Sequence, residues 1–436
     1  MDKNFRMILS KLIYSLGQNY RNPSLKKHLK FLMKSDTWSL EKLEKYQLKK
    51  LQELIHFSYH NSEFYNKKFK ESNLVPQDIK SLNDIKKLPI TTKEDLIDFN
   101  KEIHTNFKFK KVHRAVTSGS SGKSLKFLRD ESADSFNRAA ISRGYNWYGV
   151  KPWEKNGYFW GFNFSFYEKI KTKCLDFLQN RFRVFSYNDK EFHSFVKKTK
   201  KAKYLHGYSS MIYQAAKIIN SKGLHKPKGL KMIKGTSEKI FDSYQKEVIK
   251  AFGTKIISEY GATEPGIIAF ECKKGNMHIN MEGVFVEEVD NEIIVTNLQM
   301  KSFPVIRFKL GDYIKLSKKE MKCKCGREHL MIEEVTGRVG NNVYGKKQIY
   351  PSLFFYYIFK NLMNTHGIIL NYQVIQKEKG NLKLKIEQTL SEDEYFKLKR
   401  EVYKHFKDDI EVEIEQNVIL HSPNEKLKSF ISTINE

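Results

Sequence analysis

The chain has 436 residues, which exceeds the usual size of one hydrophobic core and predicts two or three domains. A hydrophobic content of 40%, with 13% aromatic residues, excludes an intrinsically disordered chain. The net charge of +28 comes mostly from lysines spread along the sequence, with no basic tail and no zinc-finger or RNA-recognition signature. We therefore do not expect nucleic acid as a partner, whereas surface solvation and binding of anionic substrates both fit this charge.

The first 110 residues are predicted to be mainly helical, because apolar residues recur at helical spacing between Leu40 and Lys70. The segment Phe5–Leu16 is amphipathic. It could lie on a membrane surface, but docking of this helix on the protein body is the favoured interpretation. Met1–Gly17 lacks a clean apolar stretch and a cleavage site, so we expect no secretory signal, and no window of the sequence has the length of a membrane span.

A loop rich in hydroxyl groups follows, with the sequence TSGSSGKS at Thr117–Ser124. Its glycines let backbone N–H groups turn inward, and its hydroxyls and ammonium group add donors, so such a loop can wrap a polyphosphate. A Walker P-loop is disfavoured because its two glycine positions are too close together here and the next segment is predicted to be a strand. A flexible surface loop is the alternative for this octamer taken alone.

The next region combines a predicted helix, Glu131–Tyr148, with an aromatic strand-like run, Gly157–Phe164. Such a density of aromatic residues is typical of a core, and a pocket wall for a flat or apolar group is the alternative. Tyr204–Ser210 is predicted to end a strand and to open a helix. A single histidine at such a place, His206, is more often a hydrogen-bonded structural residue than a base.

Residues 226–337 alternate strands and turns around one predicted helix, Lys239–Phe252. The strand that begins at Leu230, this helix and the strand Lys255–Ser258 form a βαβ rhythm. It implies parallel pairing, with ligands at the C-terminal ends of the strands. The segment Glu259–Gly266, with the sequence EYGATEPG, lies at such an end. The tail, residues 339–436, is predicted to contain a helix, two strands, a helix and a strand, which is the order of a small split βαβ sandwich.

Four of these motifs, in this order, resemble the adenylate-forming superfamily: TSGSSGKS at Thr117–Ser124, YGATE at Tyr260–Glu264, GD at Gly311–Asp312 and GR at Gly337–Arg338. Further stretches are similar to its phenylacetate–coenzyme A ligase and capsular-polysaccharide-biosynthesis branch: Asn61–Tyr65, Leu88–Lys93, His206–Ser209 and Cys323–Arg327. The resemblance spans about residues 40–430. It implies an α/β fold, with a large multi-layer N-terminal domain of β-sheets and helices (1–337) and a small mobile α+β C-terminal domain (338–436).

The resemblance also implies an enzyme, an AMP-forming ligase. ATP would activate a small carboxylic acid to an acyl-adenylate with release of pyrophosphate. The acyl group would then pass to a thiol or amine acceptor such as coenzyme A, a carrier protein or an amino sugar, in a reaction of cell-surface polysaccharide synthesis. The runner-up is an acyl–coenzyme A ligase of aromatic-acid catabolism. A nucleic-acid-binding or scaffold protein on the same fold is the alternative from another class.

Each motif has an implied role. Glu264 would hold Mg²⁺ between the phosphates, Thr263 would contact the α-phosphate, and Asp312 would bind the ribose hydroxyls. Arg338 would bind on the ribose side just before the hinge, and Lys426 would stabilise the charge that gathers as the carboxylate attacks. The remaining implied nucleotide-binding residues are Thr117, Ser118, Gly119, Ser120, Ser121, Gly122, Lys123, Tyr260 and Gly261. The substrate pocket would be lined by Trp160–Phe166, Tyr208 and Gly235–Glu238.

Two positions depart from the family pattern. Val339–Asn342 follows Arg338 where the family has acidic residues, and Glu425 precedes Lys426 where the family has glycine. Lys428 is therefore an alternative to Lys426. The structural alternatives are loop caps for Glu264 and Asp312 and an ordinary surface lysine for Lys426.

The cysteines predict a metal site and a compartment. Cys272, His278, Cys323 and Cys325 form a Cys₃His set suited to structural zinc, and related members of this branch carry a similar arrangement. The alternative is that the reduced cysteines pack as small hydrophobic residues. Because four cysteines in so long a chain are not a disulfide framework, we expect a reducing, cytoplasmic location.

Overall fold

The structure is a computed structural model that describes residues 3–117, 125–159, 166–184, 189–224, 226–236, 238, 240–338, 342–420 and 429–434. It divides into two compact units, each formed by two stretches of the chain. Unit 1 comprises Met1–Glu154 and Ser258–Val335, and unit 2 comprises Lys155–Ile257 and Thr336–Glu436. Four sets of predicted site residues lie outside the described residues: Ser118–Ser124, Trp160–Ser165, Ser237, and Lys426 with Lys428.

The α-helices of the described residues are, in chain order, α1 (Lys3–Arg21), α2 (Leu25–Ser35), α3 (Leu40–Asn61), α4 (Glu63–Glu71), α5 (Lys93–Asp98), α6 (Asn100–Ile103), α7 (Glu131–Trp147), α8 (Phe166–Leu178), α9 (Asp189–Thr199), α10 (Ser209–Ser221), α11 (Asp242–Phe252), α12 (Leu353–His366) and α13 (Glu392–Phe406). Side-chain caps fix several of their starts. Asp130 accepts a hydrogen bond from the backbone N–H of Ala133 at the start of α7, and Ser391 with Glu394 forms a capping box on α13.

The strands are, in chain order, β1 (Val112–Val116), β2 (Lys126–Asp130), β3 (Asn156–Phe159), β4 (Arg181–Val184), β5 (Tyr204–Tyr208), β6 (Met232–Thr236), β7 (Ile256–Ala262), β8 (Gly266–Glu271), β9 (Met277–Ile279), β10 (Val284–Val289), β11 (Glu292–Asn297), β12 (Phe308–Leu316), β13 (Met331–Arg338), β14 (Asn342–Tyr344), β15 (Ile349–Pro351), β16 (Tyr372–Glu378), β17 (Asn381–Ile386), β18 (Glu411–Glu415) and β19 (Phe430–Ser432).

Unit 1 contains a sheet in which the strands lie in the order β10-β11-β12-β13-β9-β8-β7, beside a separate antiparallel hairpin of β1 and β2. Neighbours β7 and β8 are antiparallel, as are β10 and β11. Fully buried side chains from the helices and the sheet form one core, among them Leu43, Leu54, Ile268, Val295 and Phe303. The turns at the ends of these strands are therefore held by a packed core.

Unit 2 contains four parallel strands in the order β6-β5-β3-β4, together with a small mixed sheet in the order β18-β17-β16-β19. Residues from both parts of this unit share one hydrophobic core. The ring centroids of Phe241 and Tyr372 are 5.8 Å apart, and the Lys217 Nζ atom lies 2.5 Å from Glu387 Oε1. The tail is thus packed against residues 155–257 within this unit.

The mixed α/β class is confirmed, and so is the predicted element order of the tail from α12 to β18. The tail also contains three strands that were not predicted: β14 and β15, which pair with each other, and β19, which pairs in parallel with β16. The boundary between 1–337 and 338–436 stays a prediction. Arg338, the residue expected to precede the hinge, is the last residue of β13. Within the described ranges, none of the helices combines the length and apolar composition that crossing a membrane needs.

Candidate functional site

The base of the hydroxyl-rich loop is a closed hairpin in unit 1. Strands β1 and β2 pair up to Val116 and Lys126. One residue further on, the backbone N–H of Thr117 donates to the carbonyl oxygen of Leu125 at 2.9 Å, and the backbone N–H of Leu125 donates to Thr117 Oγ1 at 2.9 Å. The two ends of the predicted polyphosphate loop are therefore held side by side.

Lys93 connects this hairpin with the Tyr260–Glu264 motif. It is the first residue of α5, whose start is fixed by a capping box between Thr92 and Asp95. Its Nζ atom donates to Thr117 Oγ1 at 3.4 Å and also forms an ion pair with Glu264. Glu264 is 6% exposed. A buried carboxylate needs a cation or several donors, and here the cation is Lys93.

The turn that carries Thr263 and Glu264 joins the antiparallel strands β7 and β8. Gly261 lies so close to the facing strand that a Cβ atom would stand 2.5 Å from the carbonyl oxygen of Gly266. The Arg129 guanidinium donates to the carbonyl oxygen of Thr263 and lies 3.4 Å from Asp134. Backbone packing and one buried arginine therefore fix the direction in which the Glu264 side chain points.

Tyr260 and Asp312 are two predicted site residues in direct contact. The hydroxyl of Tyr260, on β7, donates to Asp312 Oδ2, on β12, at 2.8 Å. Asp312 follows Gly311, whose φ of +81° is in the left-handed region that favours glycine. The tyrosine thus orients the carboxylate predicted to bind the ribose.

Most of the other predicted nucleotide-binding and catalytic residues are not part of these two groups. Ser118, Gly119, Ser120, Ser121, Gly122, Lys123 and Lys426 lie outside the described residues, and Arg338 belongs to unit 2 by the division given above. A cavity of about 490 Å³ in unit 1 is lined by other residues, among them His28, Lys50 and Glu131. The predicted residues Thr117 and Glu264, which both contact Lys93, and the pair Tyr260 and Asp312 therefore do not line this cavity.

The predicted pocket residues of unit 2 follow the C-terminal ends of parallel strands. Tyr208 ends β5 and pairs with Thr236 at the end of β6. Glu238 accepts a hydrogen bond from the backbone N–H of Ser210 at 2.9 Å, and burial raises the pKa of Tyr208 to about 12. The ring of His206 stacks on the ring of Tyr158 with centroids 4.3 Å apart, and burial lowers the pKa of His206 well below the usual value. This environment supports a structural histidine.

Cys272, His278, Cys323 and Cys325 converge in unit 1, with all four potential ligand atoms within 4.8 Å of one another. The sulfur atoms of Cys272 and Cys323 are 3.7 Å apart, and Cys325 Sγ lies 3.2 Å from His278 Nε2. Zn–S bonds of about 2.3 Å in a tetrahedron put two sulfurs about 3.8 Å apart. The donor set therefore fits a closed Cys₃His site.

Neighbouring groups support these four side chains. His278 Nδ1 lies 3.2 Å from the carbonyl oxygen of His329, a contact that leaves Nε2 for the cysteine cluster. The Asn276 amide donates to Cys323 Sγ at 3.1 Å, and the backbone N–H of Lys274 donates to Cys272 Sγ at 3.4 Å. Burial alone would raise the pKa of Cys323, but these donors hold it below its usual value, whereas burial raises the pKa of Cys272 to about 11. Burial lowers the pKa of His278 to about 4, which favours the neutral ring that binds metal.

No protein-family model matches the chain. It is 26% identical over 312 residues to Protein CapK of Staphylococcus aureus, covering 67% of each chain. It is 35% identical over 63 residues, 14% of each chain, to phenylacetate-coenzyme A ligase of Escherichia coli (strain K12). A solved structure of 2-hydroxyisobutyryl-CoA ligase, in the postadenylation state with R3-HIB-AMP, superposes with a TM-score of 0.71 at 16% identity and covers 91% of each chain.

These relatives and the shared fold support the predicted resemblance to the adenylate-forming superfamily. The two sequence relatives, CapK and phenylacetate–coenzyme A ligase, carry the names of the branch that the motifs predicted. The structural likeness to the ligase shows the same mixed α/β fold over nearly the whole chain. The roles of individual site residues stay predictions.

Two residues of the candidate site were missed by reasoning from the sequence. Lys93 lies in the Leu88–Lys93 stretch that supports the resemblance, but no role was predicted for it. Arg129 lies at the end of β2, in a segment predicted only as a strand. The sequence signal for Lys93 is its position at the first turn of a capped helix, and for Arg129 the sequence contains no such signal.

Proposed function

We propose that this protein uses ATP to convert a small carboxylic acid to an acyl-adenylate, with release of pyrophosphate, and then transfers the acyl group to the thiol of coenzyme A. The observation that supports this most is the position of Lys93, which contacts both Glu264 and the base of the loop at Thr117. A carboxylate, a lysine and a hydroxyl-rich loop around one point suit the charge and donor needs of a magnesium-bound polyphosphate.

At the nucleoside end, the proposal assigns the ribose to Asp312 and the adenine to the surface of Tyr260 and Gly261. The hydrogen bond from Tyr260 leaves Asp312 an oriented carboxylate with remaining acceptor capacity for two ribose hydroxyls. Arg338 is proposed to add a donor on this side.

At the phosphate end, Glu264 is proposed to hold Mg²⁺, whose hard oxygen ligands include carboxylates. The pairing of Glu264 with an ammonium group supports this, because it demonstrates that the surroundings accept a cation at that carboxylate. Bound magnesium would neutralise charge on the phosphates. Thr263 and the loop residues would donate to phosphate oxygens, and Lys93 would neutralise further charge.

In the first step, a carboxylate oxygen of the acid attacks the α-phosphorus of ATP, a P–O bond forms, and the bond to pyrophosphate breaks. Negative charge gathers around the α-phosphate, and Lys426 is proposed to stabilise it. In the second step the acceptor's sulfur attacks the acyl carbonyl carbon and AMP leaves. The acceptor proton goes to solvent.

Coenzyme A is preferred over other acceptors because of the named relatives. One relative is called a phenylacetate-coenzyme A ligase, and 2-hydroxyisobutyryl-CoA ligase is also known in complex with 2-HIB-AMP and CoA, with a TM-score of 0.61 to this chain. The second candidate acceptor is an amine, such as an amino sugar in cell-surface polysaccharide synthesis, or a carrier-protein thiol. This second candidate is retained because the chain is similar to CapK over 312 residues.

Two further proposals concern the metal and the location. The cluster of Cys272, His278, Cys323 and Cys325 is proposed to bind structural zinc, which would tie the strand β9 to the segment before β13. All four cysteines of the chain are described and none forms a disulfide, which supports a reducing, cytoplasmic location.

The proposal is tested by pyrophosphate release from ATP with a panel of carboxylic acids that includes phenylacetate and 2-hydroxyisobutyrate. Coenzyme A or an amino sugar is added in a second stage, and the acyl product is identified by mass spectrometry. A thioester supports the proposed acceptor, and an amide supports the second candidate. If no acid of the panel causes pyrophosphate release, the result favours a non-catalytic protein on this fold.

A further inference from the structure

The helix α1 touches unit 1 with one side and presents an apolar stripe on the other. Ser10 is buried, and the ring of Tyr14 lies 5.8 Å from the ring of Trp153. The opposite side carries five large exposed residues, at spacings of three and four: Phe5 (57% exposed), Ile8 (57%), Leu12 (56%), Leu16 (68%) and Tyr20 (86%). Such spacing puts side chains in one row along a helix.

The segment that carries this stripe has charges of a single sign. Residues 3–35, which include α1 and α2, contain eight lysines and arginines and no aspartate or glutamate. Lys26, Lys27 and Lys30 on α2 are exposed. At the end of the stripe, the Lys111 Nζ atom donates to the carbonyl oxygen of Tyr20 at 2.5 Å and lies 5.0 Å from its ring. Within residues 3–35 the apolar row is thus accompanied by basic residues and by no acidic one.

We propose that α1 lies flat on an anionic lipid surface, with Phe5, Ile8, Leu12, Leu16 and Tyr20 at the boundary between headgroups and acyl chains. Interfacial helices combine an apolar row with basic residues and do not need the length or apolarity of a spanning helix. The 19 residues of α1 would cover about 28 Å of the surface at the usual helical rise. Lys26, Lys27 and Lys30 would meet anionic headgroups.

A second copy of this chain fits the surface less well. A symmetric contact would bring α1 against α1, and each copy of that helix carries four lysines and arginines and no acidic residue. Like charges facing each other oppose such a contact, whereas they strengthen binding to an anionic surface. The residues of the proposed adenylation site, Lys93, Tyr260, Glu264 and Asp312, do not belong to α1, so lipid binding is separable from that activity.

The test is cosedimentation with vesicles of phosphatidylcholine alone and of phosphatidylcholine mixed with phosphatidylglycerol, at low and high salt. We expect the full chain to bind the mixed vesicles at least about tenfold more strongly, and high salt to weaken this binding. The double variant Leu12→Gln/Leu16→Gln should lose about tenfold or more in vesicle binding, because it removes apolar area without changing charge. A second variant, Lys26→Glu/Lys27→Glu, should lose binding to the mixed vesicles alone.

The matched control is Phe396→Gln/Tyr403→Gln on α13, where both side chains are also exposed, at 68% and 53%. It should bind mixed vesicles like the unchanged protein. Equal binding to both vesicle types, or no binding to either, overturns the proposal. So does a loss of self-association in Leu12→Gln/Leu16→Gln by analytical ultracentrifugation without any lipid binding, because the occupant would then be a second copy.

Discussion

Lys93 and Glu264 form an ion pair within unit 1, although 171 residues separate them in the sequence. The Glu264 side chain is 8% exposed and that of Lys93 is 21% exposed. Because the same ammonium group also reaches Thr117, one side chain sets the distance between the loop base and the carboxylate. Charges so enclosed interact more strongly than exposed ones, so each residue of the pair depends on the other.

The first prediction concerns this pair. Lys93→Met should lower kcat/KM for ATP in pyrophosphate release by about a hundredfold, comparable to the loss of one preorganised cation in an adenylation site. Glu264→Gln should abolish detectable release while leaving the fold intact, because it removes the proposed magnesium ligand.

Lys87→Met is the matched control, because Lys87 makes a surface ion pair with Asp84 in the same region. It should keep the activity of the unchanged protein. Unchanged pyrophosphate release by Lys93→Met would mean that the ion pair has no part in the reaction. Circular dichroism of each variant checks that the fold persists.

The sequence predicted the motifs at the ends of strands and the element order of the tail, because both depend on local patterns such as Tyr260–Glu264 and the capping box at Ser391. It did not predict Lys93 as a site residue, because its contact with Glu264 depends on where α5 packs. The parallel pairing of β19 with β16 is likewise a contact between distant segments. The favoured interpretation, docking of α1 on the protein body, did not predict the exposed apolar stripe on its other side. Amphipathicity alone does not say which face of a helix is buried.

The second prediction concerns the cysteine cluster. Protein purified without added metal should contain one zinc per chain by elemental analysis. Cys272→Ser should lose it and unfold at a lower temperature, because a closed structural site contributes folding free energy. Cys174→Ser, at an exposed cysteine on α8, should retain the zinc and the unfolding temperature. A metal-free protein of full stability would contradict the zinc site.

The third prediction concerns the stability of unit 1 in acid. Burial alone would raise the pKa of Asp134, but contacts with Arg138, Asn22 and Arg129 hold it at about 2. The usual value for aspartate is about 3.9, so the folded state binds this proton more weakly than the unfolded chain does. The resulting stability is fully present above about pH 5 and is lost as pH falls through 4 towards 2.

Asp134→Asn should therefore lower the free energy of unfolding by about 2 kcal/mol at pH 7, and by much less at pH 3. Urea unfolding at both pH values measures this difference. Asp98→Asn, at an exposed position at the end of α5, should have little effect at either pH. A loss for Asp134→Asn that is the same at both pH values would exclude the charge as its cause.

The fourth prediction tests whether the tail moves. Within unit 2, the Ser243 hydroxyl donates to Asn371 Oδ1, which joins α11 to the segment before β16. We expect a disulfide between Ser243→Cys and Asn371→Cys, in a Cys174→Ser background, to spare one half-reaction and block the other, because the resemblance implies that residues 338–436 rotate between the two steps. Reduction of the disulfide should restore both. Two unimpaired half-reactions in the oxidised protein would contradict the predicted mobile domain.

The last prediction concerns Lys426, which lies outside the described residues and is preceded by Glu425 where the family has glycine. If its charge reaches the carboxylate and α-phosphate only during adenylation, Lys426→Ala should slow pyrophosphate release by on the order of a hundredfold. It should leave the second step unchanged when a preformed acyl-adenylate is supplied together with coenzyme A. Separate assays of the two steps measure this difference.

Lys428→Ala distinguishes the two possible registers of the motif. Should it, instead of Lys426→Ala, slow only the first step, the catalytic lysine is two residues further along, and Glu425 is no departure from the family pattern. Lys399→Ala on α13 is the control, because it removes an equal charge from an exposed position of the same region. If both lysine variants release pyrophosphate at the normal rate, transition-state charge in this protein is stabilised by Lys93 and the loop donors without the tail.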